Sequence, residues 1–134
     1  MYTIRRTTDM DAMRRLDKIE FDGCEFPADH AWWVAVDKMG ETVAYASAVY
    51  RPELGYVYLS RCMVLPKARG AKLQRRLLRV RIAWAKKQGA DRVITYTLLK
   101  NYESLVNLVK AGFRFYEPDN DYVGKDVHYY KLAL

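Results

Sequence analysis

A chain of 134 residues fits one domain and can bury a core of its own without disulfides or a metal. Its 23 Lys and Arg against 16 Asp and Glu leave a net charge of +7, which admits nucleic acid, an anionic surface or a phosphate-bearing cofactor as partners. Cys24 and Cys62 match neither a metal nor a C-x-x-C redox spacing, and the opening MYTIRRTTDM lacks the apolar core of a secretory signal; with no run near the roughly 18 apolar residues of a membrane span, a cytoplasmic protein without membrane attachment is expected.

YTIRRTT alternates as a strand does, and Asp9 then opens DMDAMRRLDKIEFDG, whose Met10, Met13, Leu16 and Ile19 approximate one helical face. After the irregular CEFPADH come three β-rich runs, AWWVAVDK, ETVAYASAVY and GYVYLSRCMVL, separated by the turn signals KMGE and RPELG, which read as an antiparallel meander. Over residues 71–89, Leu73, Leu77, Val80 and Trp84, widened by Leu78, Ile82 and Ala85, form the stripe of an amphipathic helix that Gly89 stops. DRVITYTLL is nearly all apolar or β-branched, as a central strand would be. NYESLVNLVKAG follows as a helix with Asn101 as its N-cap and Gly112 at its end, and FRFYEP and VHYYKLAL are two last strands around DNDYVGKD. The order βαβββαβαββ specifies an α/β fold with a mixed sheet and helices on its faces, in one domain over residues 1–134. The strands ending near Leu65 and starting near Arg92 are joined by a helix and should therefore be parallel.

The start of that crossover, VLPKARGAKLQRRLL, carries the chemistry. A helix beginning directly after a strand has unpaired amides and a partial positive charge at its first turn. Gly70 permits positive φ, while Arg69, Lys72, Arg75 and Arg76 crowd cations around the same opening, so a pyrophosphate is a natural guest. From these residues alone, a solvated basic helix behind a tight turn is an equal reading.

VLPKARGAKLQRRLL resembles the acyl-CoA motif of the GNAT superfamily of N-acyltransferases, V-x-P-x-x-R-G-x-G-x-G-x-x-L-L, and NYESLVNLVKAGF resembles the later N-x-x-A-x-x-L-Y-x-K-x-G-F element. The resemblance implies a splayed pair of central parallel strands with acetyl-CoA entering the gap. It gives Cys62, Met63 and Val64 a backbone role on a bulged strand beside the pantetheine arm. Residues Arg69, Gly70, Ala71, Lys72, Leu73, Gln74 and Arg75 hold the pyrophosphate, and Asn101 helps place the cofactor. Two glycines of the motif are Lys72 and Gln74 here; a right-handed helical backbone already at Lys72 would make its side chain cheap and let its ammonium meet a phosphate. Leu108 stands where the family keeps a tyrosine that protonates the departing thiolate, which leaves Tyr102 and Tyr116 as the nearby candidates for an acid. No carboxylate lies within YVYLSRCMVL, and Glu53 is the nearest candidate base in sequence.

His30 and His128 have no ligand spacing, so no metal is expected. In the family the acceptor groove is walled by the segments that correspond here to FDGCEFPADH and YEPDNDYVGKD. Both are acidic, through Asp22, Glu25, Asp29, Glu117, Asp119, Asp121 and Asp126, which suggests a cationic amine acceptor. The expectation is an N-acetyltransferase working by direct attack of an amine on the acetyl-CoA thioester. The alternatives are a GNAT-like binding module without turnover, and, less favoured, a nucleic-acid binder using Arg69, Lys72, Arg75, Arg76, Arg79, Arg81, Lys86 and Lys87 around the helix's exposed arc.

Overall fold

The computed structural model describes residues 1–134. Its elements are β1 (Thr3–Thr7), α1 (Met10–Glu20), β2 (Ala31–Val36), β3 (Thr42–Arg51), β4 (Tyr56–Val64), a 3₁₀ turn (Pro66–Ala68), α2 (Leu73–Gln88), β5 (Arg92–Leu98), α3 (Tyr102–Lys110), β6 (Arg114–Phe115) and β7 (Val127–Ala133). This is the expected order, with the last-but-one strand reduced to two residues. One seven-stranded mixed sheet runs β1-β2-β3-β4-β5-β7-β6. β1 and β2 pair antiparallel, as do β2 and β3, while β4 and β5 are the parallel pair that the crossover requires. The chain divides into two compact units, Met1–Val49 with Ser60–Arg81, and Tyr50–Leu59 with Ile82–Leu134.

In the first unit, Met13, Trp32, Val34, Val36 and Tyr45 form the core under α1. The Trp32 ring stacks on Phe26 at 5.1 Å and meets the Tyr45 ring edge-on at 5.8 Å. Asp9 caps α1 by accepting from Ala12 N at 3.0 Å. The face of α1 differs from the expected one at two places. Ile19 is exposed, and Asp17 is buried at 2 % exposure, because Arg61 reaches across from β4 and donates from Nε to both Asp17 oxygens, at 3.1 and 3.3 Å.

In the second unit, β5 pairs with β7 over its full length, from Arg92↔Ala133 to Leu98↔Val127. Val57, Val93, Leu108, Phe113 and Tyr130 are buried beneath. The register of the parallel pair is set at its start. Asp91 N–H donates to Gly55 O at 2.8 Å, and Gly55 has φ 79 with the Asp91 carboxylate lying where a Cβ would stand. Asn101 caps α3 by accepting from Ser104 N at 3.3 Å, as its place before the helical run foretold.

Candidate active site

In the first unit the segment that follows β4 turns through the 3₁₀ residues Pro66–Ala68 and reaches α2 by way of two residues with positive φ, Gly70 at 89° and Lys72 at 59°. Gly70 meets the expectation. Lys72 does not, because α2 begins only at Leu73 and Lys72 precedes it in the left-handed region, where a Cβ crowds the following carbonyl. Glycine in the family motif accepts that conformation without strain, and lysine does not. The first helical bond runs from Arg76 N to Lys72 O, so the amides from Leu73 to Arg75 face out of the helix start with the positive end of its dipole. No acidic residue lies in the first turn. A helix start without a carboxylate and surrounded by Lys72, Arg75 and Arg76 is electrostatically unfavourable until an anion joins it. Arg69 folds back onto Val64 O at 3.2 Å and Arg76 onto Tyr2 O at 3.2 Å, each bracing an end of the turn.

One fully buried serine on β3 ties together β4, α2 and the residue that precedes β2. Ser47 Oγ accepts from Arg61 N at 3.1 Å and lies 3.2 Å from His30 Nδ1, while its carbonyl accepts from Arg81 Nη1 at 3.1 Å. Arg81 is 3 % exposed and gives its Nε to Leu77 O at 3.1 Å. It therefore lies on the buried ridge of α2 and not on the exposed arc expected of it, which removes one cation from any polyanion-binding face. Its guanidinium also hydrogen-bonds the Cys62 thiol. Burial pushes that thiol up against the opposing pull of the cation, and burial in turn pulls the guanidinium down. Cys62, Met63 and Val64 are all half-buried on the last part of β4. Arg61 extends the bracing outwards, with Nη2 on Glu25 O at 3.1 Å and its guanidinium 4.5 Å from the centre of the Phe21 ring, so it pins the segment after α1.

In the second unit the pairing of β5 is one-sided. It matches β4 only at Tyr56↔Arg92, Val57↔Val93 and Tyr58↔Ile94, whereas every residue of β5 has a partner on β7. Beyond Ile94 the Thr95 hydroxyl still reaches Leu59 O at 3.0 Å. A cluster of tyrosines sits beside this place. Tyr58 and Tyr122 meet edge-on at 5.8 Å, and the Tyr122 and Tyr129 rings are 4.8 Å apart. Tyr129 Oη accepts from Val123 N and Gly124 N at 3.1 Å each and donates to Gly124 O at 2.6 Å, which fixes the turn-rich segment between β6 and β7.

The candidate acids and base lie in different settings. Tyr102 is 67 % exposed at the start of α3, and Glu53 is exposed in the turn between β3 and β4. Tyr116 is half-buried within the cluster and hydrogen-bonded to Tyr122. Leu108, in the position of the family tyrosine, is buried on α3. Asp22, Glu25 and Asp29 are exposed in the first unit, and Glu117, Asp119, Asp121 and Asp126 in the second. No three His, Cys, Asp or Glu side chains are grouped as metal ligands, and no helix is long and apolar enough to cross a membrane.

The model of the acetyltransferase (GNAT) family matches residues 2–113. The chain belongs to this family. Solved structures agree at the level of the fold. An IAA acetyltransferase from Bacillus cereus superposes with a TM-score of 0.83 at 18% identity over 100% of both chains. The ribosomal-protein-S18-alanine N-acetyltransferase of Escherichia coli gives 0.78 at 16% identity over 99% of this chain and 94% of that one. A GNAT acetyltransferase from Staphylococcus aureus gives 0.75 at 16% identity over 99% of each. A comparison with curated protein sequences finds no match. The GNAT family acts on acyl-CoA, and the basic, carboxylate-free start of α2 suits the phosphates of such a molecule.

Proposed function

We propose that this GNAT protein is an N-acetyltransferase that moves the acetyl group of acetyl-CoA directly to a primary amine, with residues 1–134 acting as one cytoplasmic catalytic domain. The observation that carries this reading is the half-paired β5, which keeps β7 along its length but leaves the β4 ladder after Ile94. A strand edge without a ladder partner holds backbone groups that an extended, amide-bearing chain such as pantetheine can satisfy. On β4 the backbone of Cys62, Met63 and Val64 takes that role, and the amides of residues 70–75 with Arg69 and Lys72 take the pyrophosphate. Asn101 contributes through its side chain while capping α3. Acetyl-CoA supplies an activated acyl group on a thiol of moderate basicity; the protein's work is to orient it, polarise its carbonyl by backbone N–H groups and handle the protons.

Among the candidate acids Tyr116 is the best supported, since it alone is partly withdrawn from water and hydrogen-bonded to another phenol. The exposed carboxylates of both units favour a cationic acceptor such as a lysine, an N-terminus or a polyamine. Calorimetry with acetyl-CoA, followed by mass spectrometry of acetylated products across an amine panel, tests the proposal. Binding with acetyl transfer is expected. Binding without transfer would make the chain a CoA-binding module, a reading that the loss of a hydroxyl at Leu108 favours. Absence of binding would overturn the proposal outright.

A further inference from the structure

β3 and β4 are neighbours in the sheet, yet at Arg61 they meet through a side chain. A strand pair ordinarily joins amide to carbonyl. Here the Arg61 N–H donates to Ser47 Oγ at 3.1 Å, while the Ser47 carbonyl accepts from Arg81 Nη1 on α2 at 3.1 Å. The backbone at Arg61 is thus held by a hydroxyl, whose direction depends on what takes its proton. Arg61 immediately precedes Cys62, Met63 and Val64, and all these residues belong to the first unit.

Ser47 is fully buried, so the hydroxyl proton has to find an acceptor inside the protein. His30 Nδ1 lies 3.2 Å from Oγ, on a side chain only 8 % exposed. The other ring nitrogen, Nε2, faces Asp29 Oδ1 at 3.9 Å. That carboxylate favours a proton on Nε2, which leaves the Nδ1 lone pair to the hydroxyl.

We propose that His30 is a positioning residue for the acetyl-CoA arm: its neutral Nε2–H form takes the Ser47 hydroxyl proton, turns the Oγ lone pair onto the Arg61 amide and so fixes the backbone that leads into Cys62. The inference rests on the acetyltransferase reading and names what shapes the β4 side of its cofactor site. A second proton on the ring goes to Nδ1, which then donates to Oγ and deprives the serine proton of its acceptor. The charged groups around this junction are Asp29 beside the ring, Arg61 on β4 and Arg81 on α2. Asp17 of α1 is held by Arg61, and the Cys62 thiol beside Arg81 is kept neutral by burial. An imidazolium here joins two cations against one exposed carboxylate, so the grip on Arg61 weakens as His30 charges.

Measurements on the full chain test this. In 15N NMR at neutral pH the His30 ring should carry its proton on Nε2, and a protonated Nδ1 overturns the proposal. His30→Leu and Ser47→Ala should each weaken acetyl-CoA binding about tenfold in isothermal titration, with the double variant little worse than either. The nucleotide half of CoA, which has no pantetheine, should lose about twofold at most. His30→Asn, whose amide oxygen can accept from the hydroxyl, should recover most of the affinity. Native binding should weaken as the NMR titration shows His30 gaining its second proton, and this pH dependence should vanish in His30→Asn. Should Ser47→Ala fail to fold, hydrogen exchange of the Arg61 amide in His30→Leu still decides: it should be about tenfold faster than in the native chain. Unchanged exchange, native affinity in His30→Leu, or equal losses for acetyl-CoA and its nucleotide half would each overturn the positioning role alone. Absence of acetyl-CoA binding by the native chain would overturn this role and the acetyltransferase reading together.

Discussion

Lys72 is the residue at which the sequence breaks its own motif and the structure shows the cost. With φ 59 it holds a Cβ in the left-handed region, which costs a non-glycine residue roughly 1–2 kcal/mol. Lys72→Gly removes that strain but adds about 0.5–1 kcal/mol of chain entropy to the unfolded state, for a net gain of about 0.5 kcal/mol. In a domain of this size that raises Tm by about 2 °C. Lys72→Ala keeps the Cβ and the strain while losing the same ammonium, so it should be no more stable than the native chain. The difference between the two variants isolates the backbone from the charge. On the cofactor side both variants lose one cation near the phosphates, worth about 1 kcal/mol in a partly solvated site, or roughly fivefold in Kd for CoA. Acetyl-pantetheine, which has no pyrophosphate, should bind all three proteins alike. Differential scanning calorimetry and isothermal titration measure these effects. A Lys72→Gly variant that melts at or below Lys72→Ala would refute the conformational argument, and an equal affinity loss for CoA and acetyl-pantetheine would refute the placement of the pyrophosphate.

The Asp17–Arg61 pair is largely withdrawn from water, at 3 % and 16 % side-chain exposure, so Asp17→Ala or Arg61→Ala leaves a buried charge unmatched and should cost about 3 kcal/mol or more in urea unfolding. Asp17→Leu combined with Arg61→Met should cost well under the sum of the single changes, and simple additivity would count against the pairing. The fold should also weaken in alkali. Burial, together with the Asp17 carboxylate, pushes the Tyr45 hydroxyl above its ordinary value, so its stabilising effect is complete below about pH 10 and is lost as pH rises further, because the unfolded chain releases the proton first. Tyr45→Phe should reduce the alkaline slope of stability by up to about 1.4 kcal/mol per pH unit, and an unchanged slope between pH 10 and 11 would contradict this burial.

Much of the fold is legible in local sequence, because it follows from periods and punctuation within about fifteen residues. The stripe from Leu73 to Ala85, the caps Asp9 and Asn101 and the glycines at 70, 89 and 112 each act on their own segment, and all appear where they were expected. The features that failed are those whose cause lies far along the chain. Asp17 is buried on α1 only because Arg61, 44 residues later, neutralises it. Arg81 sits on a buried ridge because the Ser47 carbonyl, 34 residues earlier, receives it. Neither partner leaves a mark in the pattern around the residue itself.

The candidate site divides in the same way. By itself the sequence determined the family motifs, the order of elements, the positive φ at Gly70 and the basic, carboxylate-free start of α2, since each is a local property of VLPKARGAKLQRRLL or its neighbours. Tertiary structure alone decided the left-handed Lys72 and the joining of Tyr116 to Tyr122, and it set at Ile94 the point where β4 and β5 part, a splay that the family resemblance implied without placing it. DRVITYTLL reads the same whether its second edge is paired or open, because a strand's periodicity reports which faces are buried and says nothing about which ladder its amides join.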